Sequence, residues 1–255
     1  MQLTLTTLPG IPLIQPYDNL AAIFVRGLES ANIQLADGDI LVIAQKIVSK
    51  AEGRLVDLRS VVPSQKALEL ARIVEKDARF IELVLRESTE VMRTRPGTLI
   101  VQHRLGFVCA NAGIDHSNVE GPDGDANEWV LLLPENPDRS AEKILRDLVT
   151  IAHKEIGVII IDSHGRAWRN GIVGISIGIA GVPAVVDMRG EKDLFGYTLK
   201  MTQIAAVDEL AAGASLIMGE VAERTPVVHV HGFPYPLRES SLQELIRVKE
   251  QDLFR

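Results

Sequence analysis

Apolar positions along this chain follow two periods. A helical period puts Leu20, Ile23, Phe24 and Leu28 on one face, which predicts a helix that Asp18 caps and that runs to about Ala31. A second helical stretch opens at Pro63-Ser64 and reaches about Ser88, with a break near Asp77. Ser140 is placed to cap a helix to about His153, Thr202 to Met218 reads as a largely buried helix, and Leu242 to Phe254 as a closing one. Continuous apolar runs predict buried strands at Asp39 to Ala44, Gly157 to Ile161 and Pro226 to Val230. Thr98 to Val108 reads as two strands joined at His103-Arg104, and Gly171 to Asp187 as two more. Trp129 to Leu133 is apolar and stops at Pro134-Glu135-Asn136-Pro137, after a Gly-, Asp- and Asn-rich loop from Val119 to Glu128. Helices and strands alternate without a regular βαβ period. The expectation is therefore an α+β fold of mixed sheets with flanking helices, rather than a doubly wound sheet. With no repeat and no low-complexity linker, residues 1–255 read as a single unit, with two subdomains as the alternative.

Composition narrows the classes. A chain of 255 residues can bury a core without staples. The formal net charge of −7 and the lack of a basic run argue against nucleic-acid or membrane-surface binding. Any anionic substrate must then be met by bound metal and a few placed cations. The single cysteine, Cys109, excludes an intrachain disulfide framework and suits a reducing cytoplasm. The start, Met1-Gln2-Leu3-Thr4-Leu5, lacks the marks of a signal peptide. The most apolar stretch, Gly171 to Val186, carries four glycines and a proline and is too short to span a bilayer.

Two segments carry candidate chemistry. Asn111-Ala112-Gly113-Ile114-Asp115-His116-Ser117-Asn118 follows a strand-like run, and the apolar strand ending at Ile161 leads directly into Asp162-Ser163-His164-Gly165-Arg166. Carboxylates at strand ends, next to polar turn residues and Gly, suit hard cations such as Mg²⁺ or Mn²⁺, which bridge to phosphate. An Asp after a strand is ordinarily a turn former. Here Asp162 follows five consecutive apolar or Gly residues, which puts its carboxylate at the rim of a buried strand.

Gln45-Lys46-Ile47-Val48-Ser49-Lys50 places cations just past another strand, either as phosphate contacts or as a solvated amphipathic face. No GxxxxGK[ST] loop accompanies them. Arg166 and Arg169 lie in a glycine-flanked segment after Asp162 and are candidates for gripping an acidic substrate. The Gly174, Gly178, Gly181 run has the wrong spacing for a dinucleotide fingerprint and points to tight strand packing. Glu220 follows an apolar helix, where a carboxylate opposes the dipole unless a metal or solvent compensates. His116, His164, His229 and His231 show no zinc spacing, no G-x-S-x-G elbow occurs, and Cys109 lies in an apolar strand unsuited to a nucleophile.

These segments, in this order, resemble the coenzyme F420-0:L-glutamate ligase family, the γ-glutamyl ligases of the deazaflavin cofactor. The resemblance includes Ile11-Pro12-Leu13-Ile14, Gly38-Asp39, Val48 through Arg54, Asn111 through Asp115, Ser117-Asn118, Leu132-Leu133-Pro134 and Ser140 through Lys143. It continues at Asp162-Ser163, Gly165-Arg166, Lys192 through Gly196, Asp208 through Ala211, and Met218-Gly219-Glu220.

The resemblance implies glutamate addition to the deazaflavin precursor F420-0 with GTP hydrolysed, an α+β fold in an intertwined homodimer, and a two-metal site. Asp115 and Asp162 would hold one divalent cation, Ser163 and Glu220 a second, with a monovalent cation as a further candidate. Asp115, Asp162 and Lys50 would be catalytic. GTP would be contacted by Ile11, Pro12, Leu13, Ile14, Gln45, Lys46, Lys50 and Asn118, and by Met218, Gly219, Glu220, Val221, Ala222, Glu223, Arg224 and Thr225. The chain departs from the family pattern at Gln45-Lys46, where small hydroxyl residues are expected, a position that bears on base or ribose recognition. No fused C-terminal flavin-binding domain is expected. Alternative readings are a GTP- or ATP-dependent ligase for another acid, and a nucleotide-binding homologue without turnover.

Overall fold

Residues that are apolar in unbroken succession bury both faces of a strand, and the runs Ile40–Ala44 and Val158–Ile161 do so at the centre of a mixed sheet. The computed structural model describes residues 2–125 and 127–253. Along the chain it forms β1 (Thr4–Thr7), α1 (Leu20–Ser30), β2 (Ile40–Ala44), α2 (Gln45–Ala51), β3 (Leu55–Asp57), α3 (Gln65–Val74) and α4 (Ala78–Arg86). There follow β4 (Ser88–Arg95), β5 (Thr98–His103), β6 (Val108–Ala110), β7 (Trp129–Leu131), α5 (Pro137–Ala152), β8 (Gly157–Arg166) and β9 (Arg169–Ala180). The last elements are β10 (Val186–Asp187), β11 (Gln203–Ile204), α6 (Ala206–Met218) and β12 (Val227–His231).

The main sheet has the order β1-β12-β2-β8-β9, with β2 and β8 parallel and the other neighbours antiparallel. Alternation along the strands divides the core. Leu41, Ile43, Val158 and Ile160 pack with Phe24 and Leu28 of α1 and Ile144 and Leu148 of α5. Ile40, Val42, Ile159 and Ile161 turn to the other face, against Val207, Leu210, Ala211 and Ala214 of α6. A third cluster, with Val74, Ile81, Val84, Leu99 and Val101, joins α3 and α4 to the antiparallel sheet β4-β5-β6. This is the α+β arrangement of mixed sheets and flanking helices that the sequence predicts.

Several boundaries differ from expectation. Asn19, not Asp18, caps α1 through its side chain, while Asp18 accepts from the Gln15 N–H. Asn136 caps α5 with Pro137 in its first turn, so Ser140 is interior and its hydroxyl donates to Glu52. Residues 202–205 precede α6, Gln203–Ile204 being a short strand. β4 takes the segment after α4, which the helical reading had reached only to Ser88. β8 does not end at Ile161 but runs to Arg166, so Asp162 and Ser163 lie within a strand. No α-helix spans 242–253; the segment has two short 3₁₀ turns, Leu242–Glu244 and Lys249–Gln251, and Phe254 lies outside the described residues. The break near Asp77 is real, with Ser64 and Asp77 capping α3 and α4 in turn.

The glycine run does serve tight packing. A β-carbon at Gly178 would stand 2.5 Å from the Pro137 carbonyl oxygen, and one at Gly174 would stand 2.6 Å from that of Ala211. Both helices therefore sit directly on β9.

His103 is fully buried and stacks on Phe107, with ring centroids 5.1 Å apart. Its Nδ1 accepts from the Leu105 N–H, and Nε2 has no hydrogen-bond partner among the described residues, with Glu87 at 3.7 Å. Burial pushes its pKa down to about 4 despite that carboxylate. Between pH 6.5 and 4 the unfolded chain then binds a proton that the folded one refuses. The His103 contribution to stability is therefore full above pH 6.5 and is lost as pH drops to 4, on the order of 3 kcal/mol. The difference in unfolding free energy between wild type and His103→Gln, read by urea titration at several pH values, isolates this contribution and should shift against wild type as pH drops from 6.5 to 4.

Candidate active site

The site is built where the parallel pair comes out of step. β2 ends at Ala44, opposite Ile161, and turns at once into α2. β8 continues to Arg166 beside β9, so its far half has lost its β2 neighbour. Crevices at the carboxyl ends of parallel strands are recurrent ligand sites. Here a cleft of about 150 Å³ opens, lined by Asp115, Asp162, Ser163 and His164 among others. A larger cavity, about 260 Å³, lies between α4 and β4, but its Glu82 is already engaged by Arg86 and the Ser64 N–H.

Asp115 reaches the cleft from a well-anchored backbone. The preceding turn, Asn111–Gly113, holds Asn111 and Ala112 at positive φ, and Asn111 Oδ1 accepts from the Leu99 N–H. Asp115 itself exchanges two 2.9 Å backbone hydrogen bonds with Leu131. Its Oδ2 accepts from Gln45 Nε2 at 2.6 Å, and Lys46 Nζ is 3.5 Å away. Ser49 Oγ donates to Gln45 Oε1, which fixes the amide. Burial pushes the Asp115 carboxyl up to about 6; Lys46 opposes this and the charge of Asp162 adds to it. A carboxylate this reluctant to ionise would gain from a cation placed beside it.

Asp162 and His164, two apart on β8, share a face, and His164 Nε2 lies 2.8 Å from Asp162 Oδ2. Ser163 points to the opposite face, where its hydroxyl lies 2.9 and 3.0 Å from the two Glu220 oxygens just past α6. Among the described residues no three His, Cys, Asp or Glu side chains converge on one point. The donors are two oxygen pairs, Asp115 with Asp162 and Ser163 with Glu220. Oxygen donors of this kind suit hard cations such as Mg²⁺ or Mn²⁺ rather than a closed zinc cage.

Comparison with known proteins decides the family. The family model described as F420-0:gamma-glutamyl ligase matches residues 10–232, a span that contains both oxygen pairs. The chain belongs to this ligase family. A relative from Methanothermobacter thermautotrophicus, named coenzyme F420:L-glutamate ligase, is 44% identical over the full length of both chains. Relatives of the same name from Methanocaldococcus jannaschii, 43% identical over 88% of each chain, and Archaeoglobus fulgidus, 42% identical over 100% of this chain and 97% of its own, agree.

Most residues that the ligase resemblance assigned to nucleotide and metal do gather here. Lys46 Nζ donates to the Ser117 carbonyl oxygen at 2.9 Å, and Lys50 Nζ to that of Asn118 at 3.0 Å. Burial lowers the pKa of Lys50, and Lys46 beside it adds to the effect. Asn118 Nδ2 donates to the Val221 carbonyl oxygen, which ties the 115–118 loop to the turn after α6. That turn is shaped by Gly219 at φ +75, by Glu223 accepting from the Val221 N–H, and by Thr225 Oγ1 donating to the Met218 carbonyl. Met218 is buried, whereas Val221, Ala222, Glu223 and Arg224 are exposed.

Other assigned residues sit differently. Gln45 is buried and committed to Asp115 and Ser49, so the Gln45-Lys46 departure acts on the carboxylate and its loop. Ile14 is buried in the core with Ile47 and Val48, and Ile11 packs near Gly27, while Pro12 and Leu13 are exposed. Arg166 and Arg169 flank the tip of the β8–β9 hairpin. Cys109 is buried beneath the site, and burial pushes its thiol up to about 12, as befits an inert core residue.

His164 is the site residue that sequence reasoning missed. Its signal was the i, i+2 spacing to Asp162 on one strand, which a search for zinc spacings overlooks.

Among the described residues no helix is long and apolar enough to cross a membrane.

Proposed function

We propose that this chain is a coenzyme F420:L-glutamate ligase that uses GTP to join glutamate to the carboxylate of F420-0. The observation that carries the proposal is the Asp115–Asp162 pair in one cleft, flanked by Lys46 and Lys50, in a full-length member of the ligase family. A carboxylate and an amine do not condense until a carboxylate oxygen becomes a leaving group. In this reading the carboxylate oxygen takes the γ-phosphoryl group and GDP departs. The glutamate amine then attacks the acyl phosphate, loses a proton, and expels inorganic phosphate.

The first step brings anions together, so its barrier is largely electrostatic. Asp115 with Asp162, and Ser163 with Glu220, would hold two divalent cations, which supply charge neutralisation when bound. Gln45 and Lys46 orient Asp115, and His164 orients Asp162. Lys50, now on the Asn118 carbonyl oxygen, has the reach of a flexible ammonium to turn to a phosphate. Precursor labelled with ¹⁸O in its carboxylate should transfer one labelled oxygen to the released phosphate. Unlabelled phosphate alongside product would overturn the acyl-phosphate route.

We also infer a homodimer, as the ligase resemblance implies. It is supported by the arm between β10 and β11, where Leu194, Phe195 and Met201 stand almost fully exposed. Light scattering should give twice the chain mass, and Leu194→Asp with Phe195→Asp should lower it towards one.

A further inference from the structure

Past Ile161, β8 has left β2 behind, and the two faces of its free half rest on different supports. The Ser163 face lies against α6, which meets β9 at Gly174. The face of Asp162 and His164 rests on an aromatic column. The His164 ring packs at 56° on Phe107 with centroids 5.3 Å apart, and Phe107 stacks within 5° of parallel on His103 at 5.1 Å. All three rings are buried. Aromatic pairs favour such tilted and offset-stacked arrangements, so each ring limits the rotation of the next.

The base of the column is fixed by a tight turn. The His103 N–H donates to the Phe107 carbonyl oxygen, the Gly106 N–H to that of His103, and the Leu105 N–H to His103 Nδ1. Arg104 ties the turn down from outside. Its N–H donates to the Glu87 carbonyl oxygen, its Nε to the Glu87 carboxylate and its Nη1 to the Glu135 carbonyl oxygen. Histidine is a costly choice at 103, because its Nε2 is buried without a hydrogen-bond partner among the described residues. In return the imidazole supplies both an acceptor that shapes the turn and a flat face for Phe107. Phenylalanine would give the face without the acceptor, and glutamine the acceptor without the face. A local choice that opposes stability, two rings from a candidate metal ligand, points to function rather than packing.

We propose that the His103–Phe107 stack is a positioning device for Asp162 that acts through His164. Phe107 sets the plane of the His164 ring. That ring, through the 2.8 Å contact of Nε2 with Asp162 Oδ2, sets the orientation of the carboxylate. A carboxylate held in this way binds a cation without first having to be ordered, and losing such an outer contact weakens metal affinity by roughly 10- to 100-fold. The inference rests on the reading of Asp162 as a metal ligand, and it adds two positioning residues that lie behind the site.

Mn²⁺ binding is measured by electron paramagnetic resonance on wild type, Phe107→Leu, His164→Leu and the double variant, without nucleotide. Asp162→Asn identifies the binding step that belongs to this carboxylate. His164→Leu removes the donor and should weaken that step by roughly 10- to 100-fold. Phe107→Leu keeps the donor but removes the flat face, and should weaken the step by about 10-fold. In the His164→Leu background, Phe107→Leu should add little, since the route through which it acts is already gone. Val101→Ala, which truncates the core of β5 away from the column, should lower stability and keep wild-type affinity. An equal loss of affinity there would reduce Phe107 to ordinary packing and overturn the device.

Weaker binding in His164→Leu with wild-type affinity in Phe107→Leu overturns the device and leaves the metal reading of Asp162 standing. Losses that add in the double variant also overturn it, because Phe107 would then act by another route. If no step of Mn²⁺ binding disappears in Asp162→Asn, the metal reading itself falls and takes the device with it.

Discussion

Asp162→Asn is expected to lower ligase turnover by about 10³-fold or more while leaving the fold intact. The substitution keeps shape and volume and removes only the charge. His164 Nε2, now 2.8 Å from Asp162 Oδ2, can still donate to the amide oxygen, so the strand and its packing keep their geometry. What is lost is the anionic oxygen that a divalent cation needs on this side of the cleft. Turnover at saturating metal together with a urea midpoint separates the two effects, and near-normal activity at limiting metal would remove Asp162 from the site.

Asp115→Asn should show the same loss with an added signature. Because burial holds the Asp115 carboxyl near 6, its charge at neutral pH opposes folding of the metal-free chain. As pH rises from 3.8 through 6, the folded form gives up this proton later than the unfolded form, so the Asp115 contribution to stability falls over that window and stays lower above it. The metal-free Asp115→Asn protein should therefore be more stable than wild type above pH 6, by roughly 1–3 kcal/mol, and inactive.

Gly174→Ala is expected to cost about 2–3 kcal/mol of stability and to disturb the second oxygen pair. The new methyl carbon would meet the Ala211 carbonyl oxygen at 2.6 Å and Ser215 Cβ at 2.7 Å. One is helix backbone and the other its first side-chain atom, so the helix must move rather than a rotamer. Gly174 pairs with Ser163 across the ladder, and α6 leads directly into Glu220. A shifted α6 should part the Ser163 hydroxyl from the Glu220 carboxylate, so metal affinity should fall along with stability. Gly165→Ala on the same hairpin is the control. It meets nothing within 4 Å and needs no positive φ, so its effect should stay within about 0.5 kcal/mol. Thermal or urea unfolding of both variants, with Mn²⁺ titration, reads the comparison.

Much of the fold was legible because burial writes itself into unbroken apolar runs. Asp39 to Ala44 and Gly157 to Ile161 announced the central strands, and the glycines at 174 and 178 announced tight packing on a strand, which the structure shows to be by helices. What misled was local chemistry that tertiary contacts override. The apolar content after residue 242 suggested a helix, yet Leu242 is pinned by Asp138 and the segment turns twice instead. Strand β8 looked finished at Ile161 because the apolar run stops there. A β-strand that leaves the core along a hairpin needs no apolar residues, and β9 carries the ladder on to Arg166.

Within the site, Asp115 and Asp162 could be singled out by position, but only three-dimensional structure shows that they share a cleft or that Gln45 serves Asp115. His164 follows no familiar spacing. Its meaning lies in the face of β8 that it shares with Asp162, which a search for metal-ligand spacings does not locate.

The most direct test is to incubate the purified protein with F420-0, L-glutamate, GTP and Mn²⁺ or Mg²⁺, with ATP in a parallel reaction, and to follow products by mass spectrometry. The account predicts precursor heavier by one or more glutamyl units, with one GDP formed for each glutamate added. Loss of the γ-phosphate that does not depend on glutamate, with the precursor mass unchanged, would contradict it and assign the phosphoryl chemistry to a different acid.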